Sequence, residues 1–99
     1  MSTIEAIEYY WRPGCPFCMR LDRAIERTGI PANRHNIWDD PQAAATVRSV
    51  ANGNETVPTV VVGPTAMVNP RIDEVLEALE AHAPHLVPDE QPKRGIFRR

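Results

Sequence analysis

Only two cysteines occur in the 99 residues, and they stand three positions apart, as Cys15 and Cys18. A single pair cannot build a multi-bridge disulfide framework, nor a four-ligand zinc site from cysteine alone. Long apolar runs are missing as well. No stretch approaches the ~20 residues that cross a bilayer, so no membrane role is expected, and nothing after Met1 has the character of a signal peptide. Basic charge is not in excess: the formal net charge is -2, which argues against nucleic acid as a main partner. Neither an internal repeat nor a low-complexity segment is present. What remains is one small domain with apolar residues enough for one modest core. The compartment expected from this profile is the cytoplasm, where paired cysteines are more often catalytic or metal-binding than structural.

Local signals place the elements. Ile4 to Trp11 is strand-prone and ends at Arg12-Pro13-Gly14. A helix is expected from Pro16 to about Thr28, with Phe17, Leu21 and Ile25 on one side and Arg20, Arg23 and Arg27 on the other. Gly29 stops it. A second strand fits Arg34 to Trp38. Asp40-Pro41 caps and opens a second helix that Gly53 ends. The β-branched run Val57 to Val62 suits a buried strand, and Gly63-Pro64 turns it back into Ala66 to Val68. Asn69-Pro70 repeats the cap signal, and the last helix carries Ile72, Val75, Leu76 and Leu79 before Pro84. The expected fold class is therefore α/β, in the order β-α-β-α-β-β-α. The first pair of strands should be parallel and the last antiparallel, giving a four-stranded mixed sheet with three helices.

The chemistry centres on Cys15-Pro16-Phe17-Cys18. A thiol attacks a disulfide as its thiolate. With Pro16 as the first helical residue, Cys15 falls at the cap, facing unpaired N–H groups and the positive end of the helix dipole. Arg12 adds a fixed positive charge. These features should favour the Cys15 thiolate and make it the attacking nucleophile. Cys18, one turn further in, would stay protonated longer and act second as the resolving thiol. A structural pair and a metal site are the competing readings. The remaining metal candidates are His35, His82 and His85, and the spacing of the last two is poor for zinc; they are read as exposed polar residues.

Three segments resemble the glutaredoxin family of the thioredoxin superfamily. Tyr10-Trp11-Arg12-Pro13-Gly14-Cys15-Pro16-Phe17-Cys18 resembles the family's strand, basic residue and C-P-[YF]-C site. Thr56-Val57-Pro58-Thr59-Val60 resembles its T-V-P segment, in which the proline is cis. Val68-Asn69-Pro70 through Asp73 stands where the family has Gly-Gly and an acidic residue. The likeness covers roughly residues 4 to 81 and is nearest to the mycoredoxin branch of actinobacteria; ten arginines against one lysine suit a GC-rich coding sequence. It implies a thioredoxin-like fold, and a thiol-disulfide oxidoreductase acting on mixed disulfides between proteins and a low-molecular-weight thiol. It also implies Cys15 and Cys18 as catalytic residues, with thiol-substrate binding by Arg12, Phe17, Val57, Pro58, Asn69 and Asp73. No bound cofactor or metal is implied; mycothiol or glutathione would be the co-substrate. Glu55 just before Thr56, and Asn69-Pro70 in place of Gly-Gly, favour mycothiol, whose sugar part is bulkier and uncharged. Trp11 and Trp38 are candidates for the groove's border or for lids on the core.

Two other functions compete. One is a redoxin fed by thioredoxin reductase that donates electrons to ribonucleotide reductase; the other is a module holding an iron–sulfur cluster across a dimer. A monomer acting on oxidised or S-thiolated proteins is the leading expectation. The domain is expected to span residues 1–83. Residues 84–99, with Pro84, Pro88, Pro92 and a charge of +2 that leaves -4 for the rest, are expected to form a flexible basic tail.

Overall fold

The structure, a computed structural model, describes residues 3–88. Strand β1 (Ile7–Trp11) leads into helix α1 (Pro16–Thr28), followed by β2 (Ala32–Asn36), α2 (Pro41–Val50), β3 (Thr59–Val62), β4 (Thr65–Val68) and α3 (Ile72–His82). The sheet order is β2-β1-β3-β4. β1 runs parallel to β2 and antiparallel to β3, and β3 runs antiparallel to β4. This is the mixed sheet and element order expected from the sequence.

Alternation along β1 feeds two cores. Ile7 and Tyr9 face one side of the sheet, where they pack with Leu21 and Ile25 of α1 and Val75 and Leu79 of α3. Tyr10 faces the other side and packs with Ile37, Ala43, Ala44 and Val47, so α2 is the one helix there among the described residues. Helices α1 and α3 thus share a face, and their N-terminal ends can meet.

Several boundaries move for identifiable reasons. β1 begins at Ile7 rather than Ile4, because its partner starts at Ala32 and Ile7 N–H bonds Pro31 O at 3.0 Å. β2 spans Ala32–Asn36 rather than 34–38, in register with β1. β3 begins at Thr59 rather than Val57, since Pro58 has no N–H to give a ladder. The last helix is capped by Arg71, not by Asn69-Pro70. Residues beyond Ala83, expected to begin a tail, continue as a 3₁₀ turn over Pro84–Leu86. Leu86 and Val87 pack against the core, and His85 Nε2 lies 2.7 Å from Ile4 O. The rest of the expected tail, 89–99, lies outside the described residues. Among the described residues no helix is long and apolar enough to cross a membrane.

Candidate active site

Gly14, at φ +74°, makes the turn that delivers the chain from β1 into α1. Cys15 follows as the extended cap residue, and Pro16 occupies a helical position whose N–H would be unpaired in any case. Cys15 Sγ accepts the Cys18 N–H at 3.1 Å. It does for α1 what the Asp40 carboxylate does for α2. No acidic residue occupies the first turn of α1. Across the sheet end, Val57 O lies 3.8 Å from Cys15 Sγ, close enough to accept its S–H. Both cysteines are free thiols here.

Both cysteines are buried, Cys15 at 3 % and Cys18 at 1 % exposed. The Cys18 thiol is pushed up to about 12, by burial first and then by its hydrogen bond with Cys15. The Arg12 backbone and charge oppose that rise without cancelling it. Tyr9 donates its phenol to Cys18 O at 2.6 Å. Burial also holds the Tyr9 phenol well above the usual tyrosine range. Cys18 and Tyr9 border a cavity of about 140 Å³ that Trp11, Asp22 and Arg34 also line.

The opposite wall is made from the segments around Pro58 and Asn69. The Val57–Pro58 bond is cis. Asn69, left-handed at φ +53°, donates its N–H to Pro58 O at 2.7 Å. Asparagine tolerates that conformation better than other side-chain-bearing residues. Pro70 is buried behind it. At the start of α3, Glu74 Oε1 takes the Arg71 N–H at 2.8 Å and Asp73 Oδ1 takes the Glu74 N–H at 3.1 Å. The Arg71 side chain, 3.2 Å from Asp73, holds the Asp73 carboxyl below its ordinary range.

Cys15, Cys18, Val57, Pro58 and Asn69 are therefore linked by direct contacts, and Phe17 and Asn69 border one groove. Phe17 is exposed rather than a core contact, with the Arg20 guanidinium 5.2 Å from its ring. Asp73 points elsewhere, and Arg12 acts on Cys18 through its charge and backbone rather than by a side-chain contact with Cys15. Arg12 donates to Pro13 O and lies 5.6 Å from the Trp38 ring, while Asp73 is engaged with Arg71 and its own turn. Trp38 is exposed and Trp11 packs on the core, so the two tryptophans divide. Glu55 is paired with Arg48 and is not an isolated negative charge. His35 pairs with Glu8, and His82 contacts Thr65 Oγ1.

Sequence reasoning missed Tyr9. The available signal was a phenol on the inward face of an apolar strand, which must find a hydrogen-bond partner when buried.

The sequence model of the glutaredoxin family matches residues 7–66, more than half of the chain. The chain belongs to the glutaredoxin family. It is 37% identical over 71 residues to a Mycobacterium tuberculosis protein named as a glutaredoxin, covering 71% of this chain and 84% of that one. Among solved structures it is similar to the glutaredoxin-like NrdH-redoxin of Escherichia coli, with a TM-score of 0.63 and 29% identity over 73% of this chain and 92% of that one. A glutaredoxin of Archaeoglobus fulgidus shares the fold, with a TM-score of 0.64 at 22% identity over 77% and 86% of the two chains. As a glutaredoxin, the protein is a thiol-disulfide oxidoreductase with a redox-active Cys15-x-x-Cys18 pair. Its family implies a glutathione-type thiol as co-substrate and protein disulfides as substrates.

Proposed function

We propose that this glutaredoxin reduces mixed disulfides between proteins and a low-molecular-weight thiol, with mycothiol favoured over glutathione. The observation that carries the reading is the position of Cys15 Sγ, at a helix cap 3.1 Å from the Cys18 N–H and beside Val57 O. Negative charge on that sulfur meets a backbone donor and the positive end of a helix. Cys15 attacks the small-thiol sulfur of the mixed disulfide. The protein leaves as a thiolate and takes up a proton, and Cys15 carries the small thiol as a new disulfide. A second small thiol then attacks, giving the symmetrical small disulfide and free Cys15. Alternatively Cys18 loses its proton and attacks Cys15, giving the intramolecular disulfide and free small thiol.

Three features support mycothiol. Pro70 removes an N–H and fills space, and Asp73 and Glu74 place two carboxylates where a glutathione carboxylate would seek the helix start. An uncharged sugar meets no such competition. The pairing of Glu55 with Arg48 removes Glu55 from this argument. Single-cysteine chemistry at Cys15 requires no second subunit, and a monomer acting in the cytoplasm completes the reading.

The test is the rate at which mycothiol or glutathione releases a small thiol from the Cys15 mixed disulfide. Faster release by mycothiol is expected; equal or faster release by glutathione overturns the preference. A second reading, a redoxin fed by thioredoxin reductase, is favoured by the likeness to NrdH-redoxin, whose structure is described as explaining a thioredoxin-like activity profile. Turnover with thioredoxin reductase and no small thiol would select it.

A further inference from the structure

A groove of about 400 Å³ runs from the active-site end of α1 along that helix, closed on its other side by Asn69–Ile72. Phe17, Leu21 and Ile72 give it an apolar lining, and Arg20, Arg27 and Arg71 give it positive charge. No carboxylate lines it among the described residues. The acids of α1 are committed elsewhere, with Asp22 2.7 Å and Glu26 3.9 Å from Arg34. Three guanidinium groups at one groove are notable on a chain of net charge -2. Two have local company: Arg20 lies over Phe17, and Arg71 meets Asp73. Arg27, exposed at the last turn of α1, brings the third.

Length identifies the occupant. Arg27 lies twelve residues beyond Cys15, about 18 Å along the helix at ~1.5 Å per residue. A small thiol held on Cys15 does not span that distance. An extended polypeptide does so in about six residues, at ~3.3 Å each. The chain's own residues 89–99 carry Lys93, Arg94, Arg98 and Arg99 against Asp89 and Glu90, the same sign as the groove. We infer that the groove between α1 and Asn69–Ile72 docks an acidic segment of the S-thiolated protein, about six residues from its modified cysteine. This rests on the reading that Cys15 receives protein mixed disulfides. It adds the class of protein substrate, whereas the small thiol is chosen at the start of α3.

Two cysteine peptides, each in mixed disulfide with the same small thiol, test the inference with the full chain. One carries three glutamates about six residues from the cysteine, the other three lysines, and each is made with the charges on either side. The acidic peptide should be reduced roughly three- to tenfold faster at low ionic strength, as expected for a few exposed ion pairs, through KM rather than kcat. The advantage should vanish near 0.5 M salt, where the screening length is only about 4 Å. Arg27→Gln should cut the preference by about half or more, and Arg27→Lys should restore most of it. Gln42→Glu makes the same one-unit charge change on α2, across the sheet, and should leave the preference intact. Equal rates for both peptides overturn the docking inference alone. So does an equal loss in Arg27→Gln and Gln42→Glu, which would mean steering by net charge. Failure to reduce either peptide overturns the reading of Cys15 itself. The peptide comparison uses the unaltered protein, so it stands even where a variant fails to fold.

Discussion

Three α-helices begin among the described residues of this glutaredoxin, and two of them give their first N–H groups to carboxylates. Asp40 Oδ1 takes Gln42 N–H at 3.0 Å and Ala43 N–H at 3.3 Å. Glu74 and Asp73 do the equivalent at α3. At α1 a sulfur stands in that place, with no acidic residue in the first turn. A negative group at a helix start gains about 0.3–1 kcal/mol. Where a side-chain carboxylate takes that role, the helix end is structural. Where the chain offers only Cys15, the same stabilisation is available to a reacting atom. The second lesson lies within α1: both sulfurs are buried, but Cys15 Sγ takes the Cys18 N–H at the helix cap, whereas the Cys18 thiol is kept protonated by burial and by its hydrogen bond with Cys15, so two thiols three residues apart do different work.

The contrast between the two thiols is broken most directly by substitution. Cys15→Ser should abolish reduction of mixed disulfides, while Cys18→Ser should keep turnover by the small-thiol route; a coupled reductase assay reads both. Survival of activity without Cys15 would reverse the assignment.

The burial of Cys18 predicts a sharp pH signature. In the folded protein its value is raised above the ordinary cysteine value of 9.0 to about 12. The folded dithiol form therefore holds a proton that the unfolded chain releases. The resulting contribution to stability is fully present below pH 9 and is lost as pH rises through 9 to 12, at about 1 kcal/mol per pH unit. Urea unfolding of the reduced protein across that range measures it, with the Cys18→Ser variant as reference. The same slope in both proteins would mean that Cys18 is not the group responsible.

Smaller effects test the walls of the site. Asn69→Val should destabilise by about 1 kcal/mol, because a β-branched residue resists the left-handed conformation, whereas Asn69→Gly should be nearly neutral. Tyr9→Phe should cost about 1 kcal/mol for the lost hydrogen bond to Cys18 O. Thermal unfolding separates these outcomes; a stable Asn69→Val protein would show that this backbone is not held as described. The smallest effect sharpens the comparison of helix starts. Asp73→Asn with Glu74→Gln removes both charges from α3 and should raise turnover with glutathione about two- to fivefold relative to mycothiol. An unchanged ratio would mean that the start of α3 does not read the small thiol's charge.

Much of this site was legible along the chain. Pro16 and Gly29 bracket α1 over Pro16–Thr28, where expectation and structure agree, because caps and periodicity are local properties. The start of α3 was misread for a physical reason. Asn and Pro are good opening residues, but the Asn69 N–H is committed to Pro58 O, eleven residues back, and that contact delays the helix to Ile72. Phe17 reads either as the first apolar contact of α1 or as an aromatic beside the groove; its ring stays exposed under Arg20 and borders the groove. Arg12 reads as a positive charge beside the dithiol; its charge acts at Cys18, while its guanidinium lies 5.6 Å from the Trp38 ring, a contact that local spacing does not announce.

By itself the amino-acid order determined the element sequence, the dithiol spacing and the capping of α1 by sulfur, since each depends on residues within about four positions. The tertiary structure decided which carbonyl faces Cys15, from 42 residues away, and which phenol holds the turn at Cys18. It also paired Glu55 with Arg48 and set Arg71 across from Arg20 and Arg27. Covalent spacing carries no information about such partners. Packing α1 and α3 on one face of the sheet sets Arg71 across from Arg20 and Arg27 and Cys18 beside Tyr9, and the path of the chain from α2 into β3 supplies Val57 O and Glu55.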